Sequence, residues 1–247
     1  MKKLMFAVAA VTAGVAFADV TSANIVGYSN YGLRNGGKMV TAQFLGLNNP
    51  SNDIQQLLPQ GDDTIDNVQV QLLDEYGRMT VQYNWKDGGD LDEPVSGYCW
   101  ANEDNEYKVE DVMFGPGQGL WVFGSATEQA LQSSGEVNKK DVSVKLRNGG
   151  SGFGNPFPVK VDIQDILPTG PDTIDNVQIQ ILDEYGRMTV QYNWKDGGDL
   201  DEPVAGYCWA NEDNEYKVSG VDIDPGQGLW VFGSSTDQFL TFPAPEL

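Results

Sequence analysis

The sequence predicts an all-β protein: two tandem antiparallel β-sandwich or small-barrel domains, each with one short helix. Three observations predict it. The chain carries a long internal duplication, apolar residues recur with period two inside each copy, and Gly- and Asp-rich turns separate the apolar runs.

The duplication sets the domain plan. Asp63–Val109 is repeated as Asp172–Val218, the differences being Val70/Ile179, Leu72/Ile181 and Ser96/Ala205. A weaker match precedes each copy, Leu33–Gly37 against Leu146–Gly150. "PGQGLWVFG" follows each, at Pro116–Gly124 and Pro225–Gly233. Each unit of about 100 residues is large enough for its own core. The expected modules are residues 33–134 and 141–247, with a linker near Ser133–Asp141 and a segment 19–32 that belongs to neither copy.

Within a copy the elements follow from local pattern. Met79, Val81, Tyr83 and Trp85 alternate with Thr80, Gln82 and Asn84, a half-buried strand. Val68, Val70 and Leu72 alternate with Gln69 and Gln71, and "DEYG" (Asp74–Gly77) joins the two runs as a hairpin. "GYCWAN" and "GLWVFG" predict further strands, the second central because it is apolar throughout. One helical turn is expected at Asp53–Leu58, with Asp53 as N-cap and Pro59 as stop. Asp162–Leu167 before Pro168 repeats it.

Composition narrows the chemistry. The formal net charge is −21, or −23 once Lys2 and Lys3 are removed with the leader. Such a field repels nucleic acid and anionic lipid, so no nucleic-acid partner is expected. The chain has no histidine. That excludes Ser-His-Asp and Cys-His nucleophile systems and the usual His-bearing zinc sites.

The first residues, "MKKLMFAVAAVTAGVAFA", combine a basic start, a short apolar run and the small-x-small site Ala16-Phe17-Ala18. They read as a signal peptide, residues 1–18, cleaved after Ala18. No later stretch is long and apolar enough to span a bilayer, so a secreted or cell-surface protein without membrane insertion is expected.

The leader followed at once by "DVTSANIVGY", then a Gly-rich strand, "NPF" and "PGQGLWV", resembles secreted tandem β-module proteins of verrucomicrobial and lentisphaeral bacteria. Those modules end in PG-x-G-aromatic-Val. The first copy departs from the pattern, with Asn48-Asn49-Pro50 where "NPF" would stand. The resemblance implies an exported all-β accessory module and brings no catalytic residues.

Three groups of residues are candidate sites. The first is the loop "WKDGGDLDEPV", present twice, which offers Asp87, Asp90, Asp92 and Glu93, and Asp196, Asp199, Asp201 and Glu202. Calcium takes six to eight hard oxygens, and the Gly-Gly step would let backbone carbonyls join. The spacing is not that of the EF-hand loop, and a solvated turn uses the same residues. The second is an uncharged amide face: Gln69, Gln71, Thr80, Gln82 and Asn84, with Gln178, Gln180, Thr189, Gln191 and Asn193. It could hydrogen-bond sugar hydroxyls, pack on another copy, or be a plain solvated face. The third is "YCW". Either the aromatics Tyr98 and Trp100 are core and Cys99 faces out, or the reverse holds and the rings are free to stack on a sugar. Cys99 and Cys208 could form a disulfide if the modules meet there, bridge to another molecule, or remain buried thiols.

Together these features predict a non-enzymatic structural or interaction protein, a subunit of an extracellular layer or filament that associates with itself or with other surface components. Ala23–Gly32 would add a strand to its own domain or to a neighbour. A carbohydrate-binding module protein using the amide and aromatic face is the alternative.

Overall fold

The computed structural model describes residues 26–46, 51–126 and 128–246, so the leader and residues 19–25 lie outside it, as does Asn48-Asn49-Pro50. The described chain is all β, built as two sandwiches. The first module holds β1 (Val26–Gly32), β2 (Lys38–Thr41), β3 (Phe44–Leu45), β4 (Asn52–Asp53) and β5 (Leu58–Gln60). It continues with β6 (Gln69–Leu73), β7 (Met79–Asp87), β8 (Tyr98–Ala101), β9 (Met113–Phe114), β10 (Gly119–Phe123) and β11 (Ala130–Val137). The second holds β12 (Val142–Lys145), β13 (Gly149–Gly154), β14 (Val161–Asp162), β15 (Leu167–Thr169) and β16 (Gln178–Leu182). It ends with β17 (Met188–Asp196), β18 (Tyr207–Ala210), β19 (Asp222–Ile223), β20 (Gly228–Gly233) and β21 (Phe239–Phe242).

One layer of module 1 is a five-stranded sheet in the order β2-β10-β6-β7-β8, matched in module 2 by β13-β20-β16-β17-β18. The facing layer pairs β11 with β1, β3 and β5, and in module 2 pairs β21 with β12 and β15. Every strand pair is antiparallel. Between the layers of module 1 lie Val68, Val70, Trp100, Leu120, Val122 and Leu131. Val177, Ile179, Trp209, Leu229, Val231 and Leu240 fill the same places in module 2. Trp100 and Trp209 are fully buried, and an aromatic ring of this kind removes roughly 150–250 Å² from water.

The predicted hairpin is present, with Gln69 opposite Asn84, Val70 opposite Tyr83 and Gln71 opposite Gln82. Asp74 Oδ1 accepts from the Tyr76 and Arg78 amides, each at 2.9 Å, and Gly77 adopts φ 66°. The expected helix is a single 3-10 turn, Ile54–Gln56, capped by Asp53 Oδ1 on the Gln55 amide at 2.8 Å. Leu58 is already extended: Pro59 sits in β5, a strand at the sheet margin where its missing N–H does no harm. Asp162 caps the matching turn, Ile163–Asp165.

Two boundary expectations need correction. Ser133–Val137 belongs to β11, so the connection between modules shrinks to residues 138–141. Val26–Gly32 is no extra segment either. β1 pairs with β11 as β12 pairs with β21, so each module begins with a strand laid along its last one.

Candidate functional site between the two modules

The outer face of each five-stranded sheet, the side away from its core, carries the predicted amides. Gln71 Nε2 donates to Gln82 Oε1 at 3.1 Å, and Gln82 Nε2 to Asn84 Oδ1 at 3.1 Å. Asn84 Nδ2 then donates to Asn105 Oδ1 at 2.8 Å and to the Glu103 carbonyl at 3.0 Å. Gln180, Gln191, Asn193 and Asn214 repeat this relay. The amides therefore satisfy one another in a polarised chain, leaving the buried Gln71 Oε1 and Gln180 Oε1 without a partner among the described residues. Gln69 and Gln178 share the face by register, opposite Asn84 and Asn193. Thr80 and Thr189 do not belong to it. Each lies at a β-bulge, where its hydroxyl donates to the Leu72 or Ile181 carbonyl, at 2.9 and 3.0 Å.

The bulge moves Met79 and Met188 onto the outer face, opposite Leu73 and Leu182. Trp121 and Trp230 stand beside them, because β10 and β20 place Trp121 opposite Gln71 and Trp230 opposite Gln180. "GLWVF" thus has two apolar faces: Leu120 and Val122 enter the core, while Trp121 and Phe123 stand on the outer side. The continuous apolar run in the sequence marks a strand but does not by itself assign its second face. That run was the available signal.

The two outer faces meet. Met39, Leu73 and Leu182 are buried together, with Trp121 and Trp230 against them. The Gly152 amide donates to the Gly77 carbonyl at 3.0 Å, the Thr41 amide to Gly226 at 3.0 Å, and Gln43 Nε2 to Phe157 at 2.6 Å. The seam encloses a cleft of about 900 Å³ with Leu73, Met79 and Trp121 on one wall and Leu182, Met188 and Trp230 on the other. Copied glycines seat the indoles. A Cβ at Gly37 would fall 2.7 Å from Trp121 Nε1, and one at Gly150 would fall 2.0 Å from Trp230 Nε1.

Positive charge gathers at this seam. All four arginines of the chain are here. Arg34 lies 4.9 Å over the Tyr185 ring of the other module, where Arg187 also stacks, and Lys145 lies 5.1 Å over Tyr76. Arg78 and Arg147 line the cleft itself. Burial pushes the Lys38 ammonium below its ordinary range, with Glu184 opposing and Arg34 adding to the fall.

The acidic loops are built differently from a metal site. Asp87 Oδ1 accepts from the Gly89 amide at 3.0 Å, capping a 3-10 turn, and Gly88 and Val95 close the loop through backbone bonds. Asp90, Asp92 and Glu93 point into solvent, as do Asp199, Asp201 and Glu202. Asp196 caps the second copy as Asp87 does the first. Among the described residues no three His, Cys, Asp or Glu side chains gather as a metal ligand set. The loops instead fold back, placing Leu91 on Cys99 and Leu200 on Cys208.

That fold-back removes the expected choice between Cys99 and the aromatics. Trp100 is buried in the core, Cys99 is buried under Leu91, and only Tyr98 is exposed. Trp100 Nε1 donates to Leu57 O at 2.7 Å, so neither Trp100 nor Trp209 can stack on a sugar. The Cys99–Cys208 disulfide is not formed. Both thiols are free, each enclosed in its own module's small cluster. Among the described residues no helix is long and apolar enough to cross a membrane. No family model, no curated protein and no solved structure matches the chain.

Proposed function

We propose that the protein is a secreted, non-enzymatic structural or interaction protein that joins copies of itself, or other surface components, into an extracellular layer or filament. The observation that carries this reading is the open edge of β1. Among the described residues β1 hydrogen-bonds along one side only, to β11, while Val26, Tyr28 and Asn30 stand exposed. In a chain of net charge −21, no residue from Val20 to Leu33 is charged. A seven-residue edge without charge, proline or bulge invites a further strand.

Several other edges are protected. Gln55 Oε1 accepts from the Trp100 amide at 3.1 Å and Gln55 Nε2 donates to the Trp100 carbonyl at 3.1 Å, closing β8; Gln164 closes β18 in the same way. The edges of β2 and β13 face the other module across the seam. β12, the counterpart of β1, has four residues, follows Asp141 and ends in Lys145. The leader pattern and the resemblance to secreted β-module proteins support export, and the lack of histidine supports a non-catalytic role. The carbohydrate-binding alternative loses support, because Trp100 is buried and the amides are spent on one another.

Sizing and negative-stain microscopy of the mature chain test the reading. Tyr28→Lys with Asn30→Lys places charge on the edge and is expected to abolish association at an unchanged melting temperature. A parent chain that stays monomeric at every concentration overturns it.

A further inference from the structure

We propose that the seam cleft is a binding site for an amphipathic organic anion, with its apolar body between the two modules and its acidic group on Arg147. This goes beyond self-association and uses a different surface. The cleft's volume of about 900 Å³ lies within the usual range of small-molecule sites. Its walls are the half-buried Trp121 and Trp230 with Leu73, Leu182, Met79 and Met188, which suit a flat apolar body. Met79 and Met188 are 64% and 62% exposed, so apolar surface stands open to a ligand at the rim.

The charge of the ligand follows from the arginines. Among the described residues no carboxylate lines the cleft. Arg78 is already paired with Asp74 at 2.6 Å. Arg147 differs: it donates through Nε to Ser151 Oγ at 3.2 Å and through a terminal nitrogen to the Gly150 carbonyl, and makes no ion pair among the described residues. In a chain with 36 acidic and 15 basic residues, an arginine without a carboxylate at an apolar cleft is a vacant anion partner.

The probe is 1-anilinonaphthalene-8-sulfonate, an aromatic anion with one N–H, titrated into the mature chain beside the uncharged dye Nile red. Saturable one-to-one binding that quenches tryptophan emission is expected. Arg147→Gln should weaken the anionic dye about tenfold, the scale of one charge-assisted hydrogen bond, and leave Nile red unchanged. Met188→Trp fills the cleft from its exposed rim and should weaken both dyes. Anionic-dye affinity unchanged in Met188→Trp, or equal weakening of both dyes in Arg147→Gln, overturns the assignment.

Discussion

The carbonyl of Gly77 accepts a hydrogen bond from the amide of Gly152 at 3.0 Å, and this bond ties the hairpin turn of one module to the second strand of the other. A Cβ at Gly77 would lie 2.3 Å from the Gly152 nitrogen. At the duplicated turn, a Cβ on Gly186 would lie 3.3 Å from Lys38 Cα. Both glycines have positive φ, 66° and 69°, so alanine strains either one by about 1–2 kcal/mol. Gly77→Ala must also push the modules apart. It is expected to lower urea-denaturation stability more than Gly186→Ala does. Equal losses would show that the seam does not depend on this approach.

The amide relay gives a second test. Asn84 is buried and satisfies the Glu103 carbonyl and Asn105, whose φ of 60° holds a tight turn. Asn84→Ala leaves those groups unpaired and should cost about 1–3 kcal/mol. Asn193→Ala should cost the same, and the double variant their sum, because each relay closes within its own module. A loss confined to ligand or surface binding, with stability unchanged, would return the amides to a recognition role.

How much of this was legible depended on whether the cause was local. The β6–β7 hairpin and the Asp53 cap follow from neighbours in sequence and both are present, although the β-bulge at Thr80 moves Met79 off the face that alternation assigned it. The matching roles of β1 and β12 were hidden because VGYSNYG and VSVK share little identity; pairing with the last strand defines them. Burial of both Cys99 and Trp100 was hidden too. Alternation assigns two faces to a strand, but a returning loop covers the second one. The apolar run places Trp121 in a central strand, but the surface it meets lies on the other module.

Alkaline stability follows from buried acids. Burial pushes the Cys99 and Cys208 thiols and the Tyr31 phenol above their ordinary values. Their native-state pKa values are raised, so the unfolded chain releases these protons first. The stability these groups contribute is complete below the ordinary thiol value of about 8.5 and is lost as pH rises through the raised values. The melting temperature should begin to fall near pH 9. Cys99→Ala with Cys208→Ala should move that onset toward the tyrosine range. An onset unmoved by the double variant would assign the loss to other groups.

A lid and a metal site make opposite demands on the acidic loop. Leu91 is 5% exposed and covers Cys99, whereas Asp90 stands in solvent. If the loop acts as a lid, Leu91→Ala removes buried methyl groups and should cost about 2–4 kcal/mol. It should also open Cys99 to a thiol reagent such as dithionitrobenzoate while Cys208, under Leu200, stays protected. Asp90→Asn should change neither reading, and EDTA should leave the melting temperature where it was, because the carboxylates converge on no common point. A fall in melting temperature with EDTA, restored by added calcium, would make the loop a metal site. Native-state labelling of Cys99 that is equally slow in Leu91→Ala would show that the lid lies elsewhere.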